Sequence, residues 1–273
     1  GCIQLLIQIY PLLNLGLLPK FSLDLKHPGV KKVVYLMIPG IIAGGVTQLN
    51  MLVDTILASF LPTGSPTWLY VSDRLMQLPL GIFAIAIGTV ILPRLSSLHQ
   101  TENTQEFSKT MDWSIRLVLL IGFPAIIGLV VLSEPIILTL FERGEFLAAD
   151  TSKASLSLIA LALGLVAFML IKVLIPGFFA RQNPQTPVKI ALASMLVNGL
   201  LAWLLAFYLG FHHVGLAMAS SIAAYFSVMA LLFMLLKNKI YQIESGWLIF
   251  FARLIISCLV MYFIVALMNI DMV

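Results

Sequence analysis

The sequence predicts an all-α, polytopic membrane protein, and three observations lead to this fold class. Of the 273 residues, 60% are hydrophobic and only 10% are charged, whereas a typical soluble domain carries roughly 25% charged residues. Apolar runs of about 20 residues recur along the chain, which is the length that a helix needs to cross a bilayer core. The runs do not alternate between apolar and polar residues, so helices are favoured over a closed β-barrel.

These runs predict one partial and seven full spans. The partial span, Cys2–Leu18, starts almost at Gly1 and has no charged segment before it. We therefore interpret it as the end of a helix rather than as a signal peptide. The full spans are Val33–Phe60, Thr67–Leu92, Trp113–Leu132, Leu156–Ile175, Val188–Leu209, Val214–Leu236 and Trp247–Met268.

The basic residues fall almost entirely on one side of the predicted membrane. The segments 19–32, 93–112, 176–187 and 237–246, with the helix ends that flank them, carry 13 of the 16 lysine and arginine residues. Such a bias is the positive-inside pattern, so these four segments are predicted to face the cytoplasm. The net charge of +4 is explained by this topology, and binding to nucleic acid is not expected.

The connections on the other side are predicted to be two tight turns and one longer segment. The turns are Leu61–Pro66 and Gly210–His213, and the longer segment is Ser133–Lys153. Within it, Glu134–Phe146 is amphipathic. We expect this stretch either to lie along the membrane interface or to form a short connector helix.

Three ionisable residues lie inside predicted spans, where a charge is costly and is therefore a candidate for function. Asp54 lies in the second span, and Asp73 and Arg74 lie in the third. One interpretation is that an aspartate merely neutralises Arg74, with Asp54 facing it across the hairpin. The other is that Arg74 binds an anion in a water-filled cavity, because a guanidinium group can donate two parallel hydrogen bonds to a phosphate.

Other spans contain polar and helix-distorting residues. Asn198, Ser220 and Ser221 either bond to a neighbouring helix or contribute, with Asp54, to a cation site, since a hard cation needs several oxygen ligands. Pro79 predicts a kink, and the glycines after it, such as Gly88, predict close helix approach.

No pattern of catalytic residues is present. The four histidines are assigned to loops, and no nucleophile–base pair, metal-ligand spacing or glycine-rich phosphate loop accompanies them. We therefore expect a protein that is not an enzyme. The histidines are His27, His99, His212 and His213.

Three stretches of the chain resemble the MurJ/MviN family of lipid II flippases. They are LASFLPTGSPTWLYVSDRLMQLPLGIFAIAIGTVILPRLSSL (57–98), MDWSIRLVLLIGFPAIIGL (111–129) and KVLIPGFFARQNPQTPVKIA (172–191). The resemblance extends in order through essentially the whole chain. It implies the fold of the multidrug/oligosaccharidyl-lipid/polysaccharide exporter superfamily, in which two six-helix lobes enclose a cavity.

On this resemblance, residues 1–18 are the end of the last helix of the N-terminal lobe, and residues 33–237 are the six-helix C-terminal lobe. Residues 247–268 are the first of two helices that form a groove for the lipid tail, and the second would follow Val273. The implied activity is transfer of lipid II, an undecaprenyl-pyrophosphate-linked peptidoglycan precursor, from the inner to the outer leaflet of the bacterial cytoplasmic membrane by alternating access. The implied partners are lipid II, the phospholipid bilayer and the N-terminal lobe.

The resemblance also assigns roles to particular residues. Arg74 matches a cavity arginine that contacts the pyrophosphate, Asp73 matches its acidic neighbour, and Gln77 stands where the family often has glutamate. Asp54 matches an aspartate that some members use to bind sodium, so the resemblance leaves a sodium site open and implies no other cofactor. Its expected partners are Asn198 and Ser220, but Ala202 stands where some members carry an acidic residue.

Three alternatives stay open at this stage. The first is a drug/cation antiporter or polysaccharide-repeat exporter of the same superfamily. The second is a membrane enzyme that acts on polyprenyl phosphates. The third is a chain that is inactive without the opposite lobe.

Overall fold

The computed structural model describes residues 28–270 together with residues 11, 13 and 14, although the side chains of several residues between 29 and 47 and of 268–270 are not described. The chain divides into two compact units, 1–38 and 39–273. All regular elements in the described part are helical. The α-helices are α1 Pro28–Ser59, α2 Ser65–Pro79, α3 Ile85–Gln100, α4 Thr104–Val131, α5 Ser133–Phe141, α6 Ala148–Phe179, α7 Gln185–Trp203, α8 His212–Lys237 and α9 Trp247–Ile270.

Six helical segments in the described part are long and apolar enough to cross a membrane, which confirms the predicted all-α polytopic fold. α1 has 32 residues, also more than the roughly 20 that a span requires. The predicted span Cys2–Leu18 lies outside the described residues, except that residues 11, 13 and 14 are helical. The six segments are Ser65–Gln100, Thr104–Val131, Ala148–Phe179, Gln185–Tyr208, His212–Lys237 and Trp247–Leu267.

The helices extend further than their apolar runs. The predicted connection 93–112 is almost entirely helical, because α3 continues to Gln100 and α4 begins at Thr104. The side chain of Asn103 accepts a hydrogen bond from the backbone N–H of Glu106 at 3.1 Å, which is a typical N-terminal cap. Hydropathy detects only the part of a helix that lies in the membrane core. The polar end of α3 and the polar start of α4 are therefore predicted as a loop.

A π-helical segment, Leu80–Ala84, joins α2 to α3 directly after Pro79. The N–H of Ile85 bonds to the carbonyl of Leu80, five residues earlier, and this wider turn is a common response to an interruption of the α-helical ladder. The predicted distortion at Pro79 therefore takes the form of a π turn. Gly88, in α3, lies so close to α6 that an added Cβ would be 2.8 Å from the carbonyl oxygen of Lys172.

α6 lies at the centre of the bundle. It has buried side chains along its whole length and on all its faces, as expected for a helix that is apolar all round. Its fully buried residues Leu165, Met169 and Leu174 join Met111 of α4 and Leu235 of α8 in one continuous core. The surrounding helices present lipid-compatible faces outward.

Trp68 joins the starts of three helices at one end of the bundle. Its indole N–H donates to Asp150 Oδ1 at 2.8 Å, and its ring lies edge-on to His213 at 4.8 Å. His213 is the second residue of α8 and is only 9% exposed, so the prediction of a loop position was wrong. We call this end, with the connections 60–64, 142–147 and 209–211, the turn end. The opposite end, with 101–103, 180–184 and 238–246, is called the basic end.

The amphipathic stretch at the turn end forms a short helix that docks on the bundle. α5 covers Ser133–Phe141, so it is shorter than the predicted Glu134–Phe146. Ile137 is fully buried against residues that include Trp68 and Leu158. The stretch therefore forms a short connector helix, and its position along the membrane interface stays a prediction.

Candidate functional site

A polar cluster connects α1, α7 and α8. Asn198 Nδ2 donates to Asp54 Oδ1 at 3.0 Å and to Asn50 Oδ1 at 3.0 Å. Ser220 Oγ donates to Asp54 Oδ2 at 3.5 Å and lies 3.4 Å from Asn198 Oδ1. We call Asn50, Asp54, Asn198 and Ser220 the Asp54 cluster. The three residues expected from the sequence thus lie together, although they come from three helices.

Asn50 is the member of this cluster that sequence reasoning missed. It precedes Asp54 by four residues, and residues with this spacing share one face of a helix, so the signal was present. Ala202, which is fully buried, adds no polar atom. Ser221, next to Ser220, instead donates to the carbonyl of Ala160 at 2.7 Å, which is the ordinary interhelical bond expected for a serine in a span.

The chemistry of the Asp54 cluster suits a small cation of low charge. It contains one carboxylate, two carboxamide oxygens and one hydroxyl, all hard oxygen ligands of the kind that Group 1 and 2 cations prefer. Among the described residues no group of three or more histidine, cysteine, aspartate or glutamate side chains gathers. A single negative charge matches a monovalent ion better than a transition metal.

A second set of side chains surrounds Arg74 on α2. The guanidinium carbon of Arg74 lies 4.7 Å from the ring centre of Tyr70, and Arg74 Nη1 donates to Gln77 Oε1 at 3.4 Å. Gln77 in turn donates through Nε2 to Asp73. Tyr70 was not predicted, although its position four residues before Arg74 places it on the same helix face. Arg74, Gln77 and Tyr70 are exposed.

Arg74 has no carboxylate oxygen within ion-pair distance among the described residues. In the described part of the chain, ion pairs within 4.0 Å join only Lys109 to Glu106 and Arg116 to Asp112. The carboxylate of Asp54 bonds to Asn198 on α7 and to Ser220 on α8, and it forms no ion pair with Arg74. The guanidinium is oriented by a ring and an amide, and within the described part of the chain its remaining donors are available to an anion.

A family model described as "Lipid II flippase MurJ" matches residues 1–272. The chain belongs to the MurJ family. It is 44% identical over 261 residues to the probable lipid II flippase MurJ of Vibrio cholerae, an alignment that covers 96% of this chain and 49% of that protein. The chain spans about half the length of the curated MurJ relatives that it matches.

Solved structures agree with this assignment. A structure titled lipid II flippase MurJ, inward closed conformation, superposes with a TM-score of 0.74 at 29% identity, and covers 92% of this chain and 50% of that chain. An outward-facing multidrug resistance MATE family transporter of the MOP superfamily gives a TM-score of 0.68 at 18% identity, over 78% of this chain and 47% of that one. The second likeness concerns the fold alone, so the substrate has to be argued from residues.

Proposed function

We propose that this MurJ chain forms one lobe of a lipid II flippase and contributes Arg74 to the binding of the pyrophosphate. The observation that carries the proposal is an exposed guanidinium within the helical rod Ser65–Gln100, with no carboxylate in ion-pair distance among the described residues. Arg74 is nine residues from the start of this rod, or about 14 Å along its axis. It lies within the predicted span Thr67–Leu92, whose apolar run is long enough to cross a hydrocarbon core of about 30 Å.

An unpaired arginine within a membrane span is costly unless it faces water or an anion. Insertion scales assign about 2.5–3.5 kcal/mol to such a residue at the centre of a span. Stacking on Tyr70 contributes roughly 0.5–1 kcal/mol at an exposed site, which is less than the cost of placing Arg74 in the span. A pyrophosphate offers the oxygen geometry that a guanidinium fork binds best, and it would use the donors that Gln77 leaves free.

The chain is proposed to act with a second, N-terminal lobe across a central cavity. The head group of lipid II would enter this cavity from the inner leaflet of the bacterial cytoplasmic membrane while its polyprenyl tail stays in lipid. The two lobes would then rock, so that the cavity opens to the outer leaflet. In this orientation the basic end faces the cytoplasm, as the positive-inside pattern favours. The proposed role involves no covalent change, so the protein is a transporter rather than an enzyme.

The Asp54 cluster is proposed to bind a sodium ion that biases this motion. Oxygens of Asp54, Asn50 and Ser220 converge from two helices, α1 and α8, and Asn198 joins them from α7. Rotation of the Asn198 amide by half a turn would bring its oxygen to the side of Asp54 and replace the present N–H bond. Ion binding would then tie three helices together, which gives the ion a direct effect on the arrangement of the lobe.

Substitution of Arg74 tests the substrate proposal. In the complete protein that contains this chain, Arg74→Ala should abolish growth of a strain depleted of its own flippase, while the amount of protein in the membrane stays normal. Lys109→Ala is the matched control, because Lys109 is an exposed basic residue whose partner, Glu106, is also exposed. Normal growth with Arg74→Ala would contradict the proposal.

A further inference from the structure

A buried carboxylate at the basic end accepts hydrogen bonds from its own helix and from two other elements. Asp112 on α4 is 4% exposed. Its Oδ2 accepts from Arg116 Nε at 2.6 Å. Its Oδ1 accepts from the hydroxyl of Tyr241 at 2.6 Å and from the indole N–H of Trp247 at 2.8 Å. We call Asp112, Arg116, Tyr241 and Trp247 the Asp112 network.

The network ties the connection 238–246 and the start of α9 to α4. Arg116 Nη2 donates to the carbonyl of Ser245 at 2.9 Å, and its guanidinium lies 4.8 Å from the ring of Trp247. One turn before Asp112, Ser108 Oγ receives the N–H of Gln242 at 2.8 Å. Two helical turns of α4 thus hold the whole entry into α9.

α9 has little else to hold it. Leu254 is its one buried side chain among those described, and α4 is its principal packing partner among the described helices. The contact follows a single stripe that includes Trp247, Phe250 and Cys258. The remaining described surface of α9 is mostly exposed and apolar. Its outer face includes Ile256, Val260 and Ile264, each more than half exposed.

From this arrangement we propose that Asp112 is a positioning residue that fixes α9 on α4, so that α9 and its apolar outer face move with α4 as one body. Among the described helices α9 packs mainly on α4, so it follows α4 rather than α8, its neighbour in sequence. Resting on the proposed function, this assigns the outer face of α9 a constant position relative to one wall of the lobe while the lobes rock.

The test separates the bonds that hold α9 from the stability of α4. The double variant Tyr241→Phe/Trp247→Phe removes both donors that come from outside α4 but keeps the ion pair of Asp112 and Arg116, so no buried charge is left unpaired. The matched control is Trp113→Phe/Tyr262→Phe, the same chemical change at exposed positions on α4 and α9. Both are made in the complete protein without other cysteines.

Spin labels at the exposed positions Leu120 on α4 and Leu259 on α9 report the placement of α9. A second pair, Leu120 and Met229 on α8, reports the bundle itself. We expect the double variant to lose the narrow α4–α9 distance distribution, to keep the α4–α8 distribution, and to support less growth in the depleted strain. The control variant should match the parent in all three respects.

Three results would overturn the proposal. They are an unchanged α4–α9 distribution, equal broadening of both distributions, and release of α9 with normal growth. Arg74→Ala, measured alongside, distinguishes this outcome from failure of the proposed function. It should abolish growth without moving α9, and normal growth with this variant would count against the flippase role rather than against the placement of α9.

Discussion

Asp54 and Asp112 are two carboxylates within helices of the lobe that are surrounded very differently. Asp112 has a cationic partner, Arg116, at 2.6 Å, and neutral donors complete its hydrogen bonding. Asp54 has no cationic partner within ion-pair distance among the described residues, and its bonds to Asn198 and Ser220 are longer, at 3.0 and 3.5 Å. The protein itself supplies Asp112 with a counter-charge and hydrogen-bond donors. The carboxylate of Asp54 can still accept a ligand.

This difference separates a structural role from a functional one. A buried charge with its full complement of donors holds elements in one arrangement, and removal of one partner leaves the rest uncompensated. A partly satisfied charge in a span is tolerated when an ion or substrate completes it. Arg74 follows the second pattern, since a ring and one amide orient it while most of its donors stay free.

The largest effect on stability is expected at Asp112. Asp112→Ala leaves Arg116 without its partner, and loss of half of a buried pair costs about 3–5 kcal/mol. We expect the lower part of this range, because the side chain of Arg116 is 25% exposed. The midpoint of thermal unfolding of the complete protein in detergent should fall by several degrees.

Asp54→Asn provides the contrast to this variant. Asparagine has the same size, keeps an acceptor for Asn198 and removes a charge that lacks a partner. The thermal midpoint in sodium-free buffer should therefore be unchanged or slightly higher. A loss of stability equal to that of Asp112→Ala would mean that the two clusters do not differ as described.

Alkaline pH should destabilise the Asp112 network through Tyr241. Burial, and then the bond to Asp112, raises the pKa of the Tyr241 hydroxyl above its usual range. Above about pH 10 the unfolded chain loses this proton while the folded protein keeps it, so stability falls by about 1.4 kcal/mol per pH unit from this group. Tyr241→Phe should be less stable than the parent at pH 8, and the difference should shrink above pH 10. A constant difference would contradict this account.

Sodium should stabilise the protein through Asp54. At a concentration ten times the dissociation constant, a ligand that binds only the folded state adds about 1.4 kcal/mol. Sodium chloride should therefore raise the thermal midpoint relative to choline chloride in the parent and in Asp112→Ala, but not in Asp54→Asn. Retention of the sodium effect in Asp54→Asn would rule out this cluster as the ion site.

The smallest predicted effect distinguishes two adjacent serines. Ser220→Ala removes one oxygen from the Asp54 cluster and should weaken the sodium-dependent stabilisation. Ser221→Ala removes a hydrogen bond to Ala160, and its loss should lower the free energy of unfolding by about 1 kcal/mol. The sodium-dependent stabilisation should be unchanged. The reverse result would show that the ion does not bind at the face of α8 that carries Ser220.

The sequence predicted the spans that the structure describes and three of the four members of the Asp54 cluster, because both leave local signals. Long apolar runs identify helices, and a polar residue within such a run is conspicuous, as with Asp54 and Asn198. The Asp112 network left no such signal. Asp112 lies just before an apolar run and Arg116 near its start, so both resembled interfacial residues, and Tyr241 is 129 positions away from its partner.

Other features depended on tertiary packing in the same way. The burial of His213 follows from the approach of Trp68, far away in the chain. The π-helical segment Leu204–Tyr208 contains no proline, so nothing local announced it. It faces Gly215, where an added Cβ would lie 2.7 Å from the backbone nitrogen of Ala206. Such close contacts are fixed by the fold rather than by the composition of one segment.

The affinity of the complete protein for lipid II, with and without Arg74, tests the central claim most directly. A hydrogen bond to a charged group contributes about 1.5–3 kcal/mol, so Arg74→Ala should raise the dissociation constant roughly ten- to a hundredfold. Arg74→Lys should be intermediate, because an ammonium group lacks the two-pronged geometry, and Lys109→Ala should match the parent. Unchanged affinity in Arg74→Ala would contradict the assignment of this residue to the pyrophosphate.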